Sequence, residues 1–182
     1  MARFICFDGV IDRMDFETPD VARLEQGVIL VDHGSRRDAS NQLLLEVVTM
    51  FRAENNYRIV EPAHMEIAEP SLATAFDRCV RQGAELVIVH PYFLMPGRHW
   101  DEDIPALVAA VAQNHPGIYY LVTSPLGLHP LMAKIIRQRI DDCLEQAQGR
   151  GARCEICEES RACRIETVSR PGDSTTSVSH ET

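Results

Sequence analysis

A chain of 182 residues with 45% apolar side chains is long enough for one domain with a buried core, and a net charge of −9 speaks against a general nucleic-acid binder. No apolar run approaches the roughly 18 residues that span a bilayer, so no membrane partner is expected. The first twenty residues carry five acidic side chains, unlike a secretory or organelle leader; a cytoplasmic protein is expected, or a plastid stromal one already processed.

Residues 1–26 show weak periodicity and read as an N-terminal extension. GVILVD (27–32) is a short β-branched apolar run that predicts a strand buried on both faces, and it ends at the turn-rich HGSRRDASN. Asp38 or Ser40 is placed to cap the next helix, in which Leu44, Val47, Val48 and Phe51 recur at helical spacing. YRIVEPAHMEIA (57–68) is a second extended segment, whose Pro62 favours an edge position. SLATAFDRCVRQG (71–83) predicts a helix with Ser71 as N-cap and Gly83 at C′. AELVIVHPYFL (84–94) is the cleanest strand; the loop MPGRH and a helix over 101–113 follow. IYYLVTSPLG (118–127) predicts a fourth strand and its loop. In the amphipathic helix 129–147, Leu131, Ile135, Ile136, Ile140 and Leu144 share one face. From 149 the composition turns polar and cysteine-bearing, and the Ser/Thr-rich end is expected to be disordered. The expected organisation is an extension (1–26), a core domain (27–148) and a C-terminal cysteine segment with its tail (149–182).

Alternating strands and helices imply an α/β domain of flavodoxin-like type, a four-stranded parallel sheet flanked by helices. Ligands of such sheets bind beyond the carboxyl ends of the strands, here the loops 33–38, 66–70, 91–101 and 123–129. His33 follows the first strand, Glu66 and Glu69 end the second, and His90 and His99 follow the third. Two imidazoles and a carboxylate with open coordination positions suit Fe²⁺ or Co²⁺, and His33 and His99 both lie on this rim, with Glu66 and Glu69 as the carboxylates beside them. His90 still belongs to its strand and reads as structural, as do His64, His115, His129 and His180. Arg36, Arg37 and Arg98 lie on the same rim, either as an anion site in an acidic protein or as solvated surface. Asp101, Glu102 and Asp103 open a helix, where acids complement its dipole.

Four of the six cysteines, Cys143, Cys154, Cys157 and Cys163, fall within twenty-one residues. Without a secretion signal such a cluster reads as a metal or iron–sulfur site, with Zn²⁺ and an iron–sulfur cluster fitting the ligand count equally.

The motifs VDHGSRRDASN, MEIAEPSLATAF and VHPYFLMPGRHWDEDIP, in this order, resemble the class II chelatases, and more narrowly the short sirohydrochlorin chelatases of the CbiX/SirB kind, over roughly 27–143. The resemblance implies a chelatase-type fold for 27–148 and ATP-independent insertion of Fe²⁺ or Co²⁺ into sirohydrochlorin by a homodimer. The two histidines of the family site carry over onto His33 and His99, and the acidic position of the second-strand motif onto Glu66. The rim arginines would then meet carboxylates of the substrate, and Leu94, Met95 and Trp100 could meet the ring plane, core packing or loop anchoring being the plainer role, above all for Leu94. The C-terminal cysteines resemble those of plant-type sirohydrochlorin ferrochelatases, which implies a [2Fe–2S] cluster on Cys143, Cys154, Cys157 and Cys163, with Zn²⁺ as the alternative. The acidic N-terminal extension departs from a plastid transit peptide. A ferrochelatase making siroheme is therefore expected. A cobaltochelatase of cobalamin synthesis and a non-catalytic iron–sulfur carrier or redox sensor are the rivals. A flavodoxin-like electron carrier ranks low, because His33 intrudes on the loop that would cradle a phosphate.

Overall fold

The computed structural model describes residues 19–151 and Ile165. The elements are β1 (Gln26–Asp32), α1 (Asp38–Glu54), β2 (Ile59–His64), α2 (Leu72–Arg81), β3 (Leu86–Pro91), a π-helical turn (His99–Asp103), α3 (Ile104–Ala112), β4 (Tyr119–Val122) and α4 (Pro130–Ala147). All strand pairs are parallel, in the order β2-β1-β3-β4, which is the α/β architecture the alternation implies. Two compact units divide the chain: Met1–Gly127 holds the sheet and Leu128–Thr182 holds α4. Among the described residues no helix is long and apolar enough to cross a membrane.

β1 lies between β2 and β3, and its period-two side chains feed two separate cores. Val28 and Leu30 pack with Leu44 and Val48 of α1 and with Val60. Ile29 and Val31 pack on the opposite face with Ile59, Phe76, Val87, Ile104 and Val108, drawn from β2, α2, β3 and α3. At about 1.5–3 kcal/mol for each buried aliphatic side chain, these four residues contribute on the order of 6–12 kcal/mol, comparable with the net stability of a whole domain. A run with no polar alternation can therefore only be an interior strand. Pro62 sits opposite Leu30 in β2, an edge strand, where its missing N–H costs no ladder bond on the outer side.

α2 follows its expected caps. The Ser71 hydroxyl accepts from the Thr74 N–H at 3.3 Å, and Gly83, one residue past the Gln82 C-cap, takes φ 97°. At α1 neither expected cap is used. Asp38 is already the first helical residue, and Arg37 at the N-cap makes no side-chain cap bond. The turn is held instead by Asn41, whose amide accepts from the Ser35 N–H at 2.8 Å and donates to the Ser35 carbonyl at 2.9 Å. Helical geometry before α3 also reaches further back than 101, as far as His99. Pro105 has no N–H for the Asp101 carbonyl and its ring would crowd that oxygen, so the turn widens and the Ile104 N–H reaches the His99 carbonyl. In the second unit, the His129 ring caps α4 by accepting from the Leu131 N–H at 3.2 Å.

Cys79 on α2 is fully buried, and burial together with the nearby Glu61 carboxylate pushes its thiol up to about 12. Thiolate is the reactive form. Cys79 should therefore resist iodoacetamide at pH 8 in the native protein and react only on unfolding, as read by peptide mass spectrometry.

Candidate functional site

His33, Glu66 and His99 come together because three chain segments leave the sheet at the same edge. The β1–β2 ladder runs one step beyond both strands: the Met65 N–H donates to the Asp32 carbonyl at 2.8 Å and the Glu66 N–H to the His33 carbonyl at 3.2 Å. Gly34 then turns the chain at φ 83°, and a Cβ there would stand 2.2 Å from the Glu66 carbonyl oxygen, so only glycine fits. Beyond Glu66 the chain reverses in a γ-turn: the Ala68 N–H meets the Glu66 carbonyl at 2.7 Å, with Ile67 at φ 68° between them. A β-branched residue at positive φ is strained, and nothing in the sequence marks this turn. The outcome is a His33 Nε2 to Glu66 Oε2 separation of 4.0 Å.

His99 opens the π-helical turn and brings its ring to 5.2 Å from that of His33, edge to face at 71°. Its Nδ1 lies 2.7 Å from Asp103 Oδ2, one wide turn along. A carboxylate only accepts, so Nδ1 carries the proton and the Nε2 lone pair is left outward. His33 reaches the same tautomer more weakly, its Nδ1 donating to the Gly34 carbonyl at 3.4 Å. In its neutral form each imidazole thus keeps the Nε2 lone pair for a metal, and with the carboxylate beside them they are a donor set for a late first-row divalent ion. Among the described residues no three His, Cys, Asp or Glu side chains are already gathered closely enough to hold a metal ion, so these three would have to draw together around one. The site is open instead, with His33, Glu66 and His99 each 44–56% exposed. Asp103, read from the sequence as a dipole complement, is the orienting partner of His99; its i, i+4 spacing is the signal that was available.

The other expected residues divide. Arg98 is exposed and turned along its own helix, 4.0 Å from Glu102 and 3.9 Å from Asp103. Arg36 and Arg37 are exposed and, among the described residues, have no carboxylate partner. Glu69 caps locally, accepting from the Ser71 N–H at 2.7 Å. Trp100 anchors its loop through Nε1–H to the Thr123 carbonyl at 2.9 Å. Leu94 is 59% exposed, not packed in the core; with Ile67 and Met95 it leaves apolar surface on the rim loops. His90 is structural as expected: its Nδ1 meets the Thr123 hydroxyl at 2.8 Å, and burial lowers its pKa. An apolar groove of about 440 Å³ between α1 and the sheet, lined by Leu30, Val47, Phe51 and Ile88, contains none of His33, Glu66 and His99. Of the clustered cysteines, Cys143 lies half-buried on α4, whereas Cys154, Cys157 and Cys163 lie outside the described residues, as does His180.

Comparison with known proteins gives this edge its family. The CbiX family model matches residues 27–143, from β1 into α4. The chain belongs to the CbiX family. A chloroplastic sirohydrochlorin ferrochelatase of Arabidopsis thaliana is 50% identical over 139 residues, covering 76% of this chain and 62% of that protein. A sirohydrochlorin cobaltochelatase of Methanocaldococcus jannaschii is 38% identical over 90 residues, 50% of this chain and 63% of the relative. Among solved structures, the sirohydrochlorin chelatase SirB of Bacillus subtilis subspecies spizizenii, in complex with cobalt, superposes with a TM-score of 0.63 at 29% identity, over 66% of this chain and 52% of that one. This CbiX chain thus spans about half to three fifths of the length of these relatives.

Among the described glycines Gly34 has the closest neighbour to a would-be Cβ, at 2.2 Å. Gly34→Ala should destabilise the protein by about 2–4 kcal/mol, since it adds both a positive-φ penalty and a backbone clash. Urea denaturation followed by circular dichroism measures this; a loss below about 0.5 kcal/mol would contradict the close approach.

Proposed function

We propose that the chain is a sirohydrochlorin ferrochelatase, inserting Fe²⁺ into sirohydrochlorin to give siroheme without ATP. The observation that carries this reading is the pair of outward Nε2 atoms on His33 and His99 beside Glu66, at the strand ends of a CbiX-family domain. The 50% identity to a plant ferrochelatase, against 38% to an archaeal cobaltochelatase, favours iron over cobalt. Family match and sequence pattern support a chelatase domain over 27–148, flanked by the extension 1–26 and the cysteine segment 149–182.

Insertion exchanges one dication for two pyrrole N–H protons, so the site must deliver the ion and accept protons. His33 and His99 hold Fe²⁺ through Nε2, leaving coordination positions for the pyrrole nitrogens. Asp103 keeps the His99 tautomer fit for this role. Glu66, 4.0 Å from His33, completes the ion's ligands or takes a released proton, and an imidazole freed of metal takes the other near neutral pH. Half-exposed ligands let a planar macrocycle approach from solvent and let the charged ion leave on the ring. Arg36, Arg37 and Arg98 pair with carboxylates of the octacarboxylate substrate, which reconciles an anionic ligand with a protein of net charge −9. One lobe offers one wall to the macrocycle, and a homodimer supplies the second.

Cys143, Cys154, Cys157 and Cys163 provide the four thiolates that a [2Fe–2S] cluster takes, and the insertion chemistry draws on none of them. When bound, such a cluster supplies one-electron chemistry; Zn²⁺ in the same thiolates would be purely structural. The chloroplast location of the Arabidopsis relative favours the plastid stroma over a bacterial cytoplasm.

Purified full-length protein, mixed anaerobically with sirohydrochlorin and with Fe²⁺ and Co²⁺ in competition, should form siroheme in preference to the cobalt product. Absence of both products would leave the carrier or sensor reading. His33→Ala and His99→Ala should each lower turnover at least a hundredfold with unchanged circular dichroism, and retained turnover in both would refute the site. Cys154→Ser should abolish the visible cluster absorption of an anaerobic preparation while insertion persists. One zinc per chain and no sulfide in the wild type would exclude iron–sulfur.

A further inference from the structure

His64 is the one buried polar or charged side chain among the described residues, 1% exposed at the last position of β2. A core strand position of this kind is ordinarily aliphatic, because burying an imidazole costs energy unless its nitrogens are bonded. Its Nδ1 lies 2.6 Å from Asp32 Oδ1, and Asp32 is the last residue of β1, directly opposite in the parallel ladder. The carboxylate can only accept, so the His64 Nδ1–H donates. The same Oδ1 accepts the Gly34 N–H at 2.9 Å. One oxygen therefore ties the end of β2 to the turn that follows β1. The His64 Cβ stands 3.2 Å from where a Gly34 Cβ would be, so the base of this side chain also lies against that turn. Asp32 is the neighbour of His33, and His64 lies two residues before Glu66.

A buried imidazole tied to a partly exposed carboxylate is a poor means of stabilising a core, since a well-packed apolar residue of similar volume does as well or better. Its place at the strand ends that lead into His33 and Glu66 points to geometry instead. We infer that Asp32 and His64 are positioning residues, which lock the His33–Gly34 turn against the Met65–Glu66 segment and so hold the His33 imidazole and the Glu66 carboxylate at one working separation. Neither touches the reacting atoms. The inference rests on the chelatase reading of His33 and Glu66. It gives His64, which looks structural from the sequence, a part in turnover that a folded apolar substitute cannot take.

The test uses full-length protein in the anaerobic Fe²⁺ insertion assay, together with amide hydrogen exchange of the segments 33–36 and 65–69. His64→Leu removes the donor at similar volume; His64→Asn keeps an N–H near the Nδ1 position. His64→Leu should lower kcat at least tenfold with the KM for sirohydrochlorin within twofold of wild type, the signature of lost transition-state geometry rather than lost binding. Exchange should quicken at Gly34 and in 65–69 but not in β3. His64→Asn should recover kcat to within about threefold. If His64→Leu does not fold, Asp32→Ala, which removes the oxygen that both donors share, carries the measurement, with a kcat at least fivefold down at unchanged KM expected. Wild-type kcat in folded His64→Leu, or in Asp32→Ala when that variant carries the measurement, overturns the inference. So does an equal loss in His64→Leu and His64→Asn, because the donor would then not matter. If the wild type itself inserts neither metal, the chelatase reading fails, and unchanged exchange at Gly34 in His64→Leu separately refutes the positioning role.

Discussion

Everything at the candidate site depends on where β1 stops. It is paired on both sides, it feeds both cores with alternate residues, and it ends at Asp32 with the polar chain emerging beside the ends of β2 and β3. A strand whose burial is comparable in energy with the net stability of a domain cannot slip by one residue, since a slip would exchange its two faces. The position of His33 along the sheet is thereby set by apolar packing some distance from any chemistry. Glu66 inherits its position from the same ladder, which extends past the strands through the carbonyls of Asp32 and His33.

His99 arrives by a different route. It starts a π-helical turn whose extra width is associated with Pro105, and the wide turn leaves Asp103 within hydrogen-bond reach of the His99 ring. A single short segment therefore supplies an imidazole, its orienting carboxylate and the transition into α3. The two histidines obtain the same tautomer from unlike partners, a side-chain carboxylate for His99 and a backbone carbonyl for His33. The carboxylate is the stronger acceptor, and His33 is the more weakly held of the two.

On the proposed reading, an open, half-exposed donor set suits an ion in transit. A closed cage would bind more tightly and would have to be dismantled before the ion could enter a macrocycle. The apolar rim side chains Ile67, Leu94 and Met95 belong to the same logic, since exposed apolar surface beside polar donors is what a flat ring with a charged periphery can use.

The strands, their parallel sense, the edge position marked by Pro62 and the caps of α2 were all legible in the sequence, because each follows from local periodicity, from the alternation of elements or from the stereochemistry of single residues. The loops that carry His33, Glu66 and His99 were legible as well, since a parallel sheet collects its functional loops at one edge. Three features were not. The Ile67 γ-turn runs against that residue's own preference and exists only because the ladder on one side and the Ser71 cap on the other over-determine it. The α1 entry turn is closed by Asn41, six residues from Ser35, where the sequence suggested an ordinary cap at Asp38 or Ser40. The pairing of Asp32 with His64 joins residues 32 apart in sequence. Residue type and periodicity are local properties, so the sequence by itself determined the strands and helices, their parallel arrangement and the sheet edge at which the polar loops gather. Which polar group faces which, and in what tautomer, was decided by the register of β1 against β2 and by the width of one turn, and these exist only once the cores have packed.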